Sequence, residues 1–329
     1  MKRYDYLLDS SLYISKYFHD KNVCFLDIET TGLSRKFNQI YLIGLVYFNH
    51  EYNNWHLSQF FAEHIDEEHI LLEQVNKCIS NFDLVITYNG EGFDIPFIRY
   101  RSKIYKINEI ISSIDSFDIY RKIKKDSPYL PFENLKLKTI EESLNIFRDD
   151  KYTGKDCINF YYEYINTKDN IFKEKILKHN FDDLYYLLDI MKIFNVIKDI
   201  KSVNIEYKEK IITIEIDEIT VSGDILRIYC NTEIKKSNIN LMYFSNGFNI
   251  IWQDENYMIL ELEINEGFIT PTKKCLFVNK SELPLDTNLK DTTDYIVPED
   301  IIVLKIEDKY QMDNIKNIIK QLITHVLYS

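Results

Sequence analysis

The chain contains few of the residues that build linkers, disulfide scaffolds and zinc modules. Its 329 residues include 5 Cys, 8 Gly and 6 Pro. The cysteines lie far apart and form no C-x-x-C pair, which argues against a zinc knuckle, a redox pair and a small disulfide scaffold. The sequence also lacks an internal repeat and a Gly- or Pro-rich linker. We therefore expect reduced, mostly buried thiols in a globular protein.

Long apolar runs and an excess of positive charge are also missing. No stretch reaches the roughly 18 uninterrupted apolar residues that a membrane span requires. The first twenty residues have neither the apolar core nor the cleavage site of a secretory signal. We therefore predict a cytoplasmic location and no membrane partner. With 40 basic and 52 acidic residues the net charge is -12, so the chain does not bind nucleic acid by bulk attraction.

Positive charge is nevertheless concentrated in one segment. Residues 99–138 hold ten Lys or Arg against five acids. This excess fits either a phosphate-tracking surface or a solvated helix-and-loop face. The 25 Tyr and 20 Phe are equally ambiguous, because base stacking and biased nucleotide composition both account for them.

Hydrophobic periodicity divides the chain into an α/β part and a β-rich part. We predict a first domain over 1–200 and an accessory domain over 201–329, with the boundary resting on a change of period from helical to alternating. After an amphipathic helix near 4–18, the element order is βββαβα. The predicted strands lie at 23–30, 39–48, 54–62 and 83–89, and the predicted helices lie at 66–80, shortly after Pro96, and at 136–146, 158–166 and 171–198.

Residues 201–329 read as antiparallel strands followed by a helix at about 312–327. The sequence gives only a fold class for this region. Contact with a protein partner, structural support and clamping of a single strand all remain open, although its net charge of -7 does not favour phosphate binding.

Two carboxylates end the first strand of the α/β part. Asp27 and Glu29 lie two residues apart in VCFLDIET, so their side chains point to the same face of the strand. Like charges this close are costly unless a cation or proton lies between them. A lone D-x-E also fits a strand end that dips into solvent.

Further candidates follow a later strand and lie on a helix. Asp94 lies where YNGEGFDIPFI passes from strand to helix, a place where acids are common for helix capping alone. His179 and Asp183 are four residues apart in KHNFDDLYYLL, so they share one helix face. Neutral imidazole suits proton abstraction near pH 7. Taken alone, a surface histidine is the simpler interpretation.

In this order the three motifs resemble those of the DEDD superfamily of ribonuclease-H-like 3'-5' exonucleases. The resemblance covers about residues 20–197 and extends to Thr30, Thr31 and Gly32. It implies a mixed sheet of about five strands with flanking helices. It also implies that Asp27, Glu29, Asp94 and Asp183 bind two divalent ions, Mg²⁺ or Mn²⁺, and that His179 is the general base.

The chain is more closely similar to the YprB-like branch, through SFDIYRKIKK, NLKLKTIEESLNIFRDD, the stretch 154–161 and HNFDDL. It departs from the better-known branches in one respect. Those with a histidine base usually have five residues from His to the metal-binding Asp, and those with four usually have tyrosine, whereas this chain combines His179 with a spacing of four.

The resemblance implies stepwise hydrolysis of single-stranded DNA or RNA from the 3' end. Possible nucleic-acid contacts are Thr30, Tyr88, Asn89, Phe93, Arg121 and Lys122. Tyr88 and Phe93 fit either base stacking or core packing. A structure-specific endonuclease of the same fold and a binding protein without catalytic activity remain alternatives.

Overall fold

The computed structural model describes residues 1–10, 16–19, 21–148, 152–234, 240–254 and 256–329. The chain forms two compact units that are not simply consecutive in sequence. The first comprises Met1–Lys124 and Asn134–Ile193, and the second comprises Lys125–Glu133 and Phe194–Ser329.

A mixed sheet of six strands forms the centre of the first unit. Its strands are β1 (Lys2–Leu8), β2 (Val23–Thr30), β3 (Ile40–Asn49), β4 (Asn54–Phe61), β5 (Leu84–Thr87) and β6 (Asp115–Asp118). Their spatial order is β1-β4-β3-β2-β5-β6. The pairs among β1, β4, β3 and β2 are antiparallel, and β5 is parallel to both β2 and β6.

Helices lie between and after these strands in the chain, and the last of them belongs to the second unit from Phe194 on. The helices are α1 (Glu68–Ile79), α2 (Asp94–Ile104), α3 (Ile119–Asp126), α4 (Leu137–Ser143), α5 (Gly154–Thr167), α6 (Asn170–Ile190) and α7 (Ile193–Lys201). Apolar side chains of α1, α5 and α6 join those of β2, β3 and β4 in one core cluster. The mixed α/β architecture predicted from the sequence is therefore confirmed.

The second unit is built from antiparallel strands and one long helix. The first of its two sheets contains β7 (Ser202–Tyr207), β8 (Lys210–Ser222), β9 (Ile225–Ile234), β10 (Leu241–Ser245), β11 (Phe248–Asp254) and β12 (Tyr257–Glu263), and the other contains β13 (Asn265–Phe268), β14 (Lys274–Asn279), β15 (Ile301–Ile306) and β16 (Lys309–Tyr310). Helix α8 (Met312–Tyr328) packs its apolar face into their core. The predicted antiparallel region and its final helix are confirmed.

The segment Lys125–Glu133 belongs to this second unit although it precedes the rest by about sixty residues. Tyr129 lies in the core of the β-rich unit, where its hydroxyl accepts a hydrogen bond of 3.1 Å from the Ile219 backbone. Its ring stacks on Tyr310. This segment therefore contributes the core residue Tyr129 to the second unit.

Two predicted elements are wrong. The chain near its start is a strand rather than a helix, because Lys2–Leu8 pairs with β4 along its whole length. The predicted helix at 4–18 also includes residues 11–15, which lie outside the described residues. The helix predicted at 171–198 is two helices, interrupted at Met191 and Lys192.

Within the described residues, no helix has both the length and the apolar composition that crossing a bilayer requires.

Candidate active site

Three carboxylates from two elements converge at one face of the central strand. Oxygen atoms of Asp27, Glu29 and Asp183 all lie within 4.8 Å of one another. Asp27 and Glu29 alternate along β2 with Leu26 and Ile28, which belong to the core, and Asp183 comes from α6. Carboxylate oxygens at this spacing form a donor set that suits a hard divalent cation such as Mg²⁺ or Mn²⁺.

Asp94 joins this cluster from the start of α2. Its Oδ1 accepts a hydrogen bond of 3.1 Å from the backbone of Ile28, between the two acids of β2. Burial raises the pKa of the Asp94 carboxyl to about 7, and the negative charge of Asp118 adds to the rise. Asp94 is thus an acid whose proton is easily replaced by a cation at neutral pH.

Asp27 lies at the centre of the negative charge. Burial raises its pKa well above the ordinary value, and the charges of Asp94 and Asp183 raise it further. A hydrogen bond from Asn180 and the positive charge of Arg148 act in the opposite direction. Four acids in a desolvated space are mutually destabilising, and bound cations would relieve that repulsion.

Asn180 is a site residue that sequence reasoning missed. It is fully buried on α6, and its amide nitrogen donates a hydrogen bond of 2.8 Å to Asp27 Oδ2. Its own oxygen accepts a 2.9 Å bond from Gln59, which also donates to the backbone of Leu177. This chain of hydrogen bonds fixes the orientation of the Asp27 carboxylate.

Gly44 makes this contact possible. It lies opposite Asp27 in the β2–β3 ladder. A Cβ atom at this position would come within 2.3 Å of both Asn180 Oδ1 and Leu184 Cδ1. The absent side chain therefore lets α6 approach β3 closely enough for Asn180 to reach Asp27.

His179 lies between two of the acids. Its Nε2 is 3.5 Å from Asp183 Oδ2 and 3.7 Å from Glu29 Oε1. The spacing of four residues on α6 thus places the imidazole and Asp183 on the same helix face. His179, Glu29 and Cys157 also bring their ligand atoms within 4.8 Å of one another, and this mixed set would suit Zn²⁺ better than Mg²⁺.

Asp118, another residue that the sequence analysis did not single out, shapes the turn before Asp94. It is buried at the end of β6, and its carboxylate accepts hydrogen bonds from the backbones of Asn89 (2.9 Å) and Glu91 (3.1 Å). Asn89 adopts a left-handed conformation with φ of 64°. These hydrogen bonds stabilise the turn that leads into α2. Asn89 contributes its backbone N–H to them.

The aromatic residues beside this turn have internal contacts. The Tyr88 hydroxyl donates a 2.6 Å hydrogen bond to the backbone of Leu135. The ring of Phe93 lies 5.4 Å from that of Phe97 and packs against the core cluster. Thr30 is buried, and its hydroxyl donates to the backbone oxygen of Gly32. All three side chains therefore have structural roles in the described arrangement.

The positive residues of 99–138 are distributed among different roles. Arg101 is buried in an ion pair with the fully buried Glu68, and the half-exposed Arg121 is paired with Glu91. The ammonium of Lys122 lies 5.4 Å from the ring of Phe117. Arg99, Lys103 and Lys106 of this segment line a cavity of about 740 Å³. Arg35, from outside the segment, is a further basic residue of its lining.

A second cavity adjoins the acids directly. It has a volume of about 790 Å³, and its lining includes His179, Asp183, Glu141 and Arg148. The guanidinium of Arg148 hydrogen-bonds to Asp183, and its Nε lies 3.0 Å from Glu141 Oε2. Sequence reasoning included Glu141 and Arg148 only as part of the stretch NLKLKTIEESLNIFRDD and assigned no role to either.

The family comparison covers most of the first unit. The family model of the RNase_H superfamily matches residues 24–195. A DNA polymerase from Methanocaldococcus jannaschii is 35% identical over 46 residues, which are 14% of this chain and 3% of that polymerase. The chain thus spans only a small part of that relative.

Two solved structures are similar at low identity. The family B DNA polymerase from the hyperthermophilic archaeon Pyrobaculum calidifontis has a TM-score of 0.44 and 14% identity, over 54% of this chain and 25% of that one. The zinc-bound complex of E. coli ExoI with single-stranded DNA has a TM-score of 0.35 and 11% identity, over 64% and 54% of the two chains.

Proposed function

The chain belongs to the RNase_H superfamily, and we propose that it is a metal-dependent nuclease that removes nucleotides from the 3' end of single-stranded DNA or RNA. The observation that carries this proposal is the convergence of Asp27, Glu29 and Asp183 within 4.8 Å, with Asp94 bonded to the same strand. Within the superfamily we assign the chain to the DEDD exonucleases and to their YprB-like branch, on the motifs that contain these four acids.

Each acid has a definite task in this proposal. Asp27, Glu29 and Asp183 would hold one Mg²⁺ or Mn²⁺, and Asp27 and Asp94 would help to hold a second. Such ions supply a water that ionises near neutral pH and a positive charge opposite the leaving oxygen. The hydrogen bonds from Asn180 to Asp27 and from Ile28 to Asp94 hold two of these carboxylates in place before substrate arrives.

His179 is the base. Its Nε2 lies beside the carboxylates of Glu29 and Asp183, where it accepts the proton of the attacking water. The water oxygen bonds to phosphorus while the bond from phosphorus to the 3'-oxygen breaks. The 3'-oxygen takes a proton from solvent and stays on the shortened chain as a free hydroxyl, and a nucleoside 5'-monophosphate leaves. Both carboxylates stabilise the imidazolium that forms.

The substrate surface and the partners are also part of the proposal. Phosphates of a single strand would bind the cavity lined by Arg35, Arg99, Lys103 and Lys106, which lies in the first unit. The β-rich unit would supply contact with a protein partner or support. A cytoplasmic location stays a prediction.

The test follows 5'-labelled single-stranded DNA and RNA with Mg²⁺, with Mn²⁺ and with EDTA. Wild type should give a metal-dependent ladder that shortens from the 3' end, and Asp183→Asn should abolish it. Asp182→Asn is the matched control, because Asp182 is the adjacent acid on α6 but is paired with Lys178. A circular single strand should resist cleavage.

Other outcomes would contradict parts of the proposal. Cleavage of the circle would identify an endonuclease. Absence of cleavage on either polymer, despite carboxylate-dependent Mn²⁺ binding, would replace the enzyme with a binding protein. Equal loss of activity in Asp182→Asn and Asp183→Asn would refute the assignment of Asp183 as a metal ligand.

A further inference from the structure

Arg148 is held between an acid of the candidate active site and an acid outside it. Its guanidinium hydrogen-bonds to Asp183, and its Nε lies 3.0 Å from Glu141 Oε2. The Arg148 side chain is 14% exposed and that of Glu141 is 1% exposed, so both charges are largely removed from water. A buried acid in such a pair needs its cation, because an unpaired buried charge is strongly destabilising.

The same arginine partly neutralises the metal-binding cluster. Its positive charge lowers the pKa of Asp27, against the effects of burial and of the neighbouring acids. In the metal-free protein Arg148 thus supplies some of the positive charge that four converging carboxylates require.

Arg148 and a metal ion compete for one carboxylate. Asp183 is bonded to Arg148 and also belongs to the oxygen set formed with Asp27 and Glu29. A divalent ion in that set would be repelled by a guanidinium in contact with one of its own ligands. Binding of the ion therefore favours departure of the guanidinium from Asp183.

Glu141 and the adjoining cavity determine where the guanidinium lies after it leaves Asp183. Glu141 holds the Nε side of the group, so Arg148 stays beside the site after it leaves Asp183. Arg148 also lines the cavity of about 790 Å³ shared by His179 and Asp183. A guanidinium has several donors in a planar fork that match the oxygens of a phosphate.

We propose that Arg148 is a positioning residue that pairs with Asp183 in the metal-free protein, yields this carboxylate to the metal ion, and then contacts a substrate phosphate while Glu141 holds it. This inference rests on the proposed nuclease function. The guanidinium of Arg148 would pair with Asp183 before the metal ion binds and would contact a substrate phosphate afterwards.

The first experiment titrates the full-length protein with Mn²⁺ and follows free Mn²⁺ by electron paramagnetic resonance. Arg148→Gln should bind Mn²⁺ about five-fold more tightly than wild type or better, because the competing charge is gone. Arg148→Lys should remain close to wild type. Arg227→Gln is the charge-matched control, since Arg227 pairs with Glu261 in the second unit, and it should leave Mn²⁺ affinity unchanged.

The second experiment measures binding of a short fluorescent oligonucleotide with Ca²⁺ in place of Mg²⁺. Arg148→Gln should bind it more weakly, and the slope of log affinity against log salt should fall by about 0.7, the value for one lost phosphate contact on a single strand. Opposite changes in metal and oligonucleotide affinity distinguish this role from a structural one, which would weaken both.

Wild-type protein offers a test that does not depend on the folding of a variant. Mg²⁺ should make the Nη protons of Arg148 exchange faster with solvent in NMR spectra, with Arg148→Lys used only for assignment. Arg101, buried against Glu68, serves as the internal control and should not change.

Unchanged exchange at saturating Mg²⁺, or Mn²⁺ affinity that is equal or weaker in Arg148→Gln, would overturn the inference. Unchanged oligonucleotide binding would overturn its phosphate contact. If wild type itself binds no metal, the proposed function fails instead, so the two failures are distinguishable.

Discussion

The amide of Asn180 donates a 2.8 Å hydrogen bond to Asp27, the acid on which the charges of Asp94 and Asp183 both act. This bond stabilises the ionised form of Asp27. One uncharged residue therefore helps to keep the central acid able to bind a cation.

Replacing Asn180 with Ala should weaken metal binding most strongly at low pH. Without the donor, the already raised pKa of Asp27 rises further, so a proton competes more effectively with Mn²⁺. The unsatisfied groups left behind should also cost about 1–3 kcal/mol of unfolding free energy. Mn²⁺ titrations from acidic to mildly alkaline pH test this.

The control is Asn76→Ala. Asn76 lies on α1 and is partly buried. Its amide donates to the backbone oxygen of Asn108 and its side-chain oxygen accepts from the backbone of Ile110, so these bonds involve none of the four acids. It should cost stability without changing the pH dependence of Mn²⁺ binding. If both variants changed the pH dependence of Mn²⁺ binding equally, the role assigned to Asn180 would be wrong.

Gly44→Ala should damage both the fold and the site. Its Cβ would overlap Asn180 and Leu184, forcing α6 away from β3 at a cost of about 1–3 kcal/mol. Chemical denaturation and Mn²⁺ affinity measure the two effects. Gly154→Ala is the matched control, because its Cβ meets no atom within 4 Å, and it should be neutral or slightly stabilising.

Without metal, stability should fall as pH rises from about 4 to about 7. Burial raises the pKa of folded Asp94 to about 7, whereas in the unfolded chain its pKa is the ordinary 3.8. The folded state therefore binds more protons across this window, and its relative stability decreases with increasing pH. Urea unfolding in EDTA measures the trend.

Asp94→Asn should flatten that decline, since the amide has no proton to lose. Asp66→Asn, at an exposed acid before α1, is the control and should retain it. The same pH dependence of stability in wild type and Asp94→Asn, measured in EDTA, would contradict the raised pKa of Asp94.

Zn²⁺ should inhibit the nuclease through Cys157. A thiolate and an imidazole favour Zn²⁺ over Mg²⁺, and Zn²⁺ held by Glu29, Cys157 and His179 would occupy both a metal ligand and the base. Cys157→Ala should raise the inhibitory Zn²⁺ concentration about ten-fold, at constant Mg²⁺. Cleavage rates over a Zn²⁺ series measure it.

Cys230→Ala supplies the control, because Cys230 is equally buried but lies in the β-rich unit. It should keep wild-type sensitivity to Zn²⁺. Equal inhibition of all three proteins would place the inhibitory ion elsewhere.

The sequence predicted the elements that have a clear period and missed those defined by contacts between distant residues. Strand β2 was predicted because VCFLDIET is a continuous buried run. The prediction of a helix over Lys2–Leu8 is wrong because the alternation of this segment is weak at the exposed sheet edge and its pairing partner lies about fifty residues away.

The site residues also divide into those that the sequence indicates and those that only the structure reveals. Asp27, Glu29, Asp94, His179 and Asp183 stood out because the order of their three motifs resembles that of the DEDD exonucleases, whereas each motif alone also fits a structural explanation. Asn180 did not, since a single amide on a helix has no periodic signal and its role depends on the close approach at Gly44. The experiments above test the roles assigned to these five residues.

The contribution of Lys125–Glu133 to the β-rich unit affects the order in which the protein can fold during synthesis. Tyr129 leaves the ribosome ninety residues before Ile219, its hydrogen-bond partner. At typical elongation rates this is a wait of roughly 5–18 s. Tyr129 and Leu130 are both buried in the folded protein. During that time the strands of the second unit are not yet synthesised, so we expect both apolar side chains to be exposed and accessible to chaperones. A gene truncated at residue 200 would make this exposure permanent.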